Sequence, residues 1–374
     1  MTEGIIFSNL FDNNLPELTK SRALASVPFA CRYRLIDFSL SNMVNSGIDN
    51  VYVVTHQNYE SLMRHIGSGK DWDLARRKGG VKLLPPLMTA FASQGSASYN
   101  TRLESLKNIS HTIDRLTEDY VVLCDCDSIC NINLYEMLAQ HEKTGADVTV
   151  ACKNVDITPD KAGSAYAISF DENGKVNDVF ARPDQVGNVN VSIHIMVINR
   201  QFLLSQLTEA LAHGYTSIAK DVLTRGAATN LFRIFRYEGY CETVRNLAEY
   251  YRRNMDLLTG DVQEALFRQK NRPVLTKVQN SAPTVYAANS MVKNSLIADG
   301  CVIEGIVENS IIFRGVHVGK NTSVENCILM QDTYVGNNVY MNCVVTDKGV
   351  TIRDGRVLSG HESRPFYIEK STEV

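Results

Sequence analysis

From residue 285 onward the chain repeats itself, and that repeat constrains the fold more than any other feature. Val307-Glu308-Asn309-Ser310-Ile311 is echoed by Val324-Glu325-Asn326-Cys327-Ile328 and again by Met341-Asn342-Cys343-Val344, at an offset of 17 residues. Val318-Gly319, Val335-Gly336 and Ile352 keep the same offset. Self-similarity at a short fixed period marks stacked units, none of which can bury its apolar face alone. One coil of short strands and tight turns per repeat, with the apolar position of each strand pointing inward, makes a parallel β-helix over 285–374. An ordinary sandwich of alternating strands does not explain the fixed offset.

Upstream the texture differs. Gly4–Ser8, Asn50–Val54 and Tyr120–Cys124 are short apolar runs that read as buried strands, and a further strand starts at Asp147. Between them, Ile36–Ile48 has helical spacing with a stop at Gly47, and a helix runs from about Leu134 to Lys143 with a stop at Gly145. Strands alternating with helices predict an α/β domain with a mostly parallel sheet covered on both faces. Such sheets bind ligands beyond the carboxyl ends of their strands, which places the loops after residues 7, 55 and 124 around the expected site. The predicted domains are 1–255, a helical linker over 256–284, and the β-helix over 285–374.

A net charge of −3 gives no basic face for nucleic acid. No apolar run approaches the length that spans a bilayer, so no membrane partner is expected. Nine cysteines, an odd number without paired spacing, and the lack of a secretory leader point to a reducing cytoplasm. Cys124, Cys126 and Cys130 lack a second cluster that would complete a metal site, and read as structural thiols at a strand end. His65, His111, His141 and His194 lie in unrelated segments and read as structural. Nothing suggests a Ser/His/Asp or Cys/His hydrolase.

Several blocks carry a resemblance. Arg22-Ala23, Val27-Pro28-Phe29, Tyr33 to Asn42 and Asn45-Ser46-Gly47-Ile48 are followed by His65-Ile66-Gly67, Trp72-Asp73-Leu74, Gly79-Gly80-Val81 with Leu84-Pro85-Pro86, and Tyr250-Tyr251 with Asn254-Met255-Asp256-Leu257. In this order they resemble the glucose-1-phosphate adenylyltransferases (ADP-glucose pyrophosphorylases). The resemblance implies a Rossmann-like, GT-A-like nucleotidyltransferase domain followed by a left-handed parallel β-helix. Active members join ATP and glucose 1-phosphate into ADP-glucose and pyrophosphate for glycogen or starch synthesis. That chemistry asks for backbone amides around the triphosphate, cations on the developing charge and carboxylates that hold magnesium.

Set against the family pattern, each of these parts is altered. The glycines of its G-G-x-G-x-R loop fall on Asn9, Leu10 and Asp12, and its arginine falls on Asn14. Side chains there obstruct the approach of backbone to phosphate, and Asp12 repels a triphosphate. The lysine after the Arg-Ala pair is Leu24. The G-T-A stretch reads Asn100-Thr101-Arg102, and the E-K-P sugar motif reads Ala181-Arg182-Pro183. Asp127 fills the first magnesium position, with Cys126 in place of a glycine, but the second position is Thr243, followed by Val244 and Arg245. Glu242 is adjacent, yet neighbours on an extended segment face opposite ways.

Fold motifs kept and chemistry motifs lost imply a subunit with no catalytic residues of its own. It is similar to the non-catalytic GlgD-type partner found beside a catalytic subunit in some Gram-positive bacteria. The implied partner is a homologous catalytic adenylyltransferase in a hetero-oligomer, commonly a tetramer, with magnesium required only there. In the family, the region of Arg22 and Arg34 contributes to a site for a phosphorylated sugar effector between the domains. Both arginines stand here, with Lys20 and Arg32 close by and Ser21 in place of a lysine. Structural ion pairing of these arginines is the competing reading. Two functional alternatives are open: a working nucleotidyltransferase that holds its metal with Asp127 and Glu242, and, more weakly, an acyltransferase. The β-helix offers the latter only His317 and His361.

Overall fold

The computed structural model describes residues 2–10, 12–86, 101–157, 166–181 and 187–374. Two compact units emerge. One comprises Met1–Leu10, Phe38–Tyr59 and Ile66–Cys241; the other comprises Phe11–Asp37, Glu60–His65 and Glu242–Val374. A single cut at residue 255 therefore does not separate them, because early segments of the chain pack with the C-terminal coils.

In the first unit, strand Thr2–Phe7 runs parallel to both Asn50–Val54 and Tyr120–Asp125, and Asn50–Val54 runs parallel to Gly80–Leu84. This half of the sheet is wholly parallel, which is why its strands read as continuous apolar runs. The long strand Gly187–Asn199 adds antiparallel to Tyr120–Asp125 and also pairs with Val148–Ile157 and Tyr166–Phe170. Phe232–Arg236 joins Val148–Ile157 in parallel. Ile5, Phe7, Leu123, Val150, Met196 and Phe232 belong to one apolar cluster at this sheet. Helices Leu35–Asn45 and Leu134–Thr144 are followed by Gly47 and Gly145, at φ of 76° and 60°. That left-handed conformation suits glycine at the end of a helix.

The second unit is built on a left-handed parallel β-helix. Its three faces each stack five short strands, beginning with Val285–Tyr286, Met291–Lys293 and Leu296–Ile297. Val307, Val324 and Met341 stand in register on one face, 17 residues apart, and all three are fully buried. The first coil is shorter, since Val292 pairs with Val307 at an offset of 15. The recurring Asn residues form a corner: Asn294, Asn309 and Asn326 have φ of 43°, 46° and 51°, and Cys343 takes the same place at 53°. Asn tolerates this left-handed geometry, and its amide bonds to the next coil, as in Asn294 Nδ2 to Asn309 Oδ1 at 2.7 Å. The Val-Gly pairs have another logic. Val318 and Val335 fill the core, whereas a Cβ on Gly319 would lie 2.5 Å from the Gly336 carbonyl oxygen of the adjacent coil.

Helix Leu247–Asp256 is tied into this unit by residues of the matched motifs. The Tyr250 hydroxyl donates to the Pro28 carbonyl at 2.7 Å, Tyr251 donates to the Asn326 carbonyl at 2.8 Å, and the Ala30 amide donates to Asn254 Oδ1 at 3.1 Å. The second helix, Gly260–Phe267, precedes an extended stretch that leads to the coils. Among the described residues no helix is long and apolar enough to cross a membrane.

Candidate functional site

Parallel register brings the carboxyl ends of the first unit's strands to one edge, where Phe7 is aligned with both Val54 and Asp125. Asn9 and Leu10 follow the first strand. The Asn9 amide accepts from Ser8 Oγ at 3.1 Å and donates to the Gln57 carbonyl at 3.2 Å, while Leu10 packs on the apolar cluster. Cys126 is buried, and its thiol donates to the Ser8 carbonyl at 3.2 Å, so a side chain fills the gap between the first and central strand ends. Among the described residues, Ser8, Asn9, Leu10, Thr55, His56 and Ser105 line a cavity of about 10 Å³. That is room for one water, against roughly 300–1,000 Å³ for an ordinary ligand pocket.

One of the two buried carboxylates at this edge is already paired. Asp127 is buried, with Ser128 Oγ 3.5 Å from its carboxylate, and Asp125 two residues before it is buried as well. Arg102, the first residue of helix Arg102–Asn108, clamps Asp125: its Nε donates to Oδ1 at 2.8 Å and to Oδ2 at 3.1 Å, and its Nη2 also donates to Oδ2. Burial opposes the charge on Arg102, but Asp125, with help from Asp127, overcomes it and holds the guanidinium above its ordinary pKa. These residues do not fit a divalent cation. The cationic place is taken by a side chain, and among the described residues no group of three or more His, Cys, Asp or Glu side chains is arranged to hold a metal ion. Asn100, Arg182 and Pro183 lie outside the described residues, as does the side chain of Ala181.

The other altered positions belong to the second unit. Asp12 does not project as a free charge; its Oδ1 accepts the Leu24 amide at 2.8 Å and its carbonyl accepts Thr19 Oγ1 at 2.6 Å. Leu24 is wholly buried, Asn14 is exposed, and Thr243 is half-buried. Glu242 is engaged by Arg253 at 2.5 Å, and Arg253 also reaches Asp256 at 3.0 Å. That carboxylate is thus committed to an arginine and not offered to a metal.

The predicted cations sort into two kinds. Arg22 Nη2 donates to both oxygens of Asp347, at 2.8 and 2.6 Å, inside the unit. Its other terminal nitrogen, Nη1, is buried with no hydrogen-bond partner among the described residues. Arg34 is held by the Ser61 carbonyl at 2.8 Å and by the Ser26 hydroxyl; burial, and then the neighbouring Arg22, bring its pKa down to about 10 although Asp37 opposes them. Lys348, from the coils, completes the group. Burial first, then Arg34 and Arg22, push its ammonium down to about 7. Lys20 instead pairs on the surface with Glu369 at 2.5 Å, and Arg32 lies over the Tyr33 ring at 5.7 Å. Arg22 and Arg34 are therefore brought together with a lysine that sequence reasoning did not single out.

Comparison with known proteins agrees with this architecture. Residues 12–230 match the nucleotidyl transferase family, and residues 281–364 match the GlmU-like C-terminal hexapeptide family. Glycogen biosynthesis protein GlgD of Bacillus subtilis is 33% identical over 370 residues, covering 98% of this chain and 95% of that protein. GlgD of Geobacillus stearothermophilus is 33% identical over 372 residues, 99% and 96% of the two chains. The glucose-1-phosphate adenylyltransferase of Mycoplasma mobile is 34% identical over 316 residues, 83% and 81% of the two chains. The chain belongs to the glucose-1-phosphate adenylyltransferase family.

Within that family frame, two features escaped the sequence. The Arg102–Asp125 clamp joins a residue that read only as a departure from the G-T-A stretch to an aspartate the sequence reading passed over; the Asp-x-Asp spacing of 125 and 127 is its sequence hint. Lys348 sits in the coils, far along the chain from Arg22 and Arg34, and has no sequence signal at all. Among the histidines, His65 Nε2 lies 2.6 Å from Asp37 Oδ1, and His141 Nδ1 lies 2.7 Å from Thr149 Oγ1, both buried. In each case a buried side chain serves as the partner of another.

Proposed function

We propose that this protein is a regulatory, non-catalytic subunit of glucose-1-phosphate adenylyltransferase in glycogen biosynthesis, assembling with a homologous catalytic subunit and altering its turnover. The observation that carries this reading is the Arg102–Asp125 clamp at the carboxyl edge of the sheet, where a side-chain cation is bound to a carboxylate that a triphosphate's metal would otherwise approach. Magnesium then serves the catalytic partner alone. A phosphorylated sugar is the effector class that suits Arg22, Arg34 and Lys348: among the described residues Arg22 keeps a buried donor without an acceptor, and burial, then the neighbouring arginines, disfavour the Lys348 ammonium until an anion arrives.

The reading of a working enzyme needs Glu242 as a metal ligand, and Arg253 already holds that carboxylate. The test is to mix the purified chain with a catalytic homologue. A complex on size-exclusion chromatography, with a changed turnover or effector response of the catalytic chain, is expected. No complex and unchanged turnover would refute the regulatory role.

A further inference from the structure

We infer that Arg102 is a resident counter-ion, a side chain that keeps divalent cations, and the polyphosphates they carry, out of the carboxyl edge of the sheet. The inference rests on the non-catalytic reading and assigns a residue to it.

Two carboxylates, Asp125 at 1% and Asp127 at 1% exposed, lie two residues apart at the end of the central strand. Burying carboxylates so deeply is costly unless a positive charge faces them. A bound divalent ion is one solution, and this chain supplies another. Arg102 approaches Asp125 side-on through Nε and Nη2, which matches the two-pronged geometry of a guanidinium on a carboxylate. Its backbone is fixed by the start of its helix, where Thr101 Oγ1 accepts the Glu104 amide at 3.2 Å and donates to the Thr216 carbonyl at 2.5 Å. A guanidinium balances the charge as a metal would, yet it has no open coordination position and cannot bridge to phosphate oxygens. Asp125 is thereby neutralised, and its two oxygens are occupied by the guanidinium. Removing the guanidinium leaves Asp125, the carboxylate it clamps, buried without that cation.

The experiment titrates Mn²⁺ alone, by electron paramagnetic resonance and by thermal unfolding, into the full-length protein and its Arg102→Ala variant. The parent is expected to bind no Mn²⁺ at this edge. The variant should bind at least about tenfold more tightly than any background in the parent, and its melting temperature should rise with Mn²⁺ while the parent's stays fixed. Arg102→Ala combined with Asp125→Ala should lose the gain. If Arg102→Ala does not fold without metal, Arg102→Gln keeps most of the side-chain volume and a donor to Asp125 while removing the charge, and the same Mn²⁺ response is expected. Equal Mn²⁺ binding by the parent and a folded variant would overturn the counter-ion role. The subunit reading is tested separately, on the turnover of the partner, so the two failures are distinguishable.

Discussion

The carboxyl edge of the sheet and the cation cluster of the coil unit are both buried, charged places, but they are balanced in opposite ways. At the edge, Arg102 meets Asp125 prong for prong, and Asp127 adds a second negative charge within its field. In the cluster, Asp347 satisfies part of Arg22, while Arg34 is held by a carbonyl and hydroxyls and Lys348 is pressed toward neutrality. A carboxylate already held by a guanidinium has little to offer a metal. A site left with excess positive charge is organised for an anion. The first arrangement fits the proposed loss of catalysis, and the second fits the proposed regulatory role.

That contrast can be broken by substitution. The largest effect is expected for Leu24→Lys, which restores the family's lysine at a wholly buried position. Losing the leucine packing and burying an ammonium should together destabilise the fold by about 5 kcal/mol or more, seen as a lower urea midpoint, with no gain of activity. Asp347→Ala comes next, because it leaves Arg22 charged and buried without its partner; about 3–4 kcal/mol should be lost. Replacing both by apolar residues, Arg22→Met with Asp347→Leu, should cost much less, and a loss as large as that of the single change would contradict the account of the pair.

The pH dependence of the cluster sharpens the comparison further. Lys348 falls from 10.5 to about 7 on folding, so between those values the unfolded chain binds the extra proton and stability rises with pH. Anion binding has the opposite trend, since the bound anion favours the ammonium. Sulfate, whose charge is fixed over this range, should bind about tenfold more tightly at pH 6 than at pH 8, and Lys348→Met should flatten the profile. Calorimetry at the two pH values checks both. The smallest effect is expected for Lys20→Ala: its surface pair with Glu369 should contribute less than about 1 kcal/mol to thermal stability.

Local pattern carried most of the architecture. The 17-residue echo at Val307, Val324 and Met341 reports stacked inward positions directly, and the apolar runs at Gly4, Asn50 and Tyr120 report strands buried on both faces. The shorter first coil was not legible, because Met291-Val292-Lys293 keeps the apolar centre but not the spacing. At the candidate site, the altered loop and metal positions could be read one residue at a time. What could not be read was how their neighbours compensate. Arg102 and Asp125 are 23 residues apart, and Arg22 and Asp347 are 325 residues apart. Only the folded chain shows that Asp12 serves the Leu24 amide, or that Arg253 occupies Glu242.

The proposed role joins the family's fold to a loss of its catalysis. It is tested most directly by following ADP-glucose formation from ATP, Mg²⁺ and glucose 1-phosphate with the purified chain alone. No formation above the enzyme-free background is expected. Turnover of roughly 1 s⁻¹ or faster, within the ordinary range of working enzymes, would contradict it.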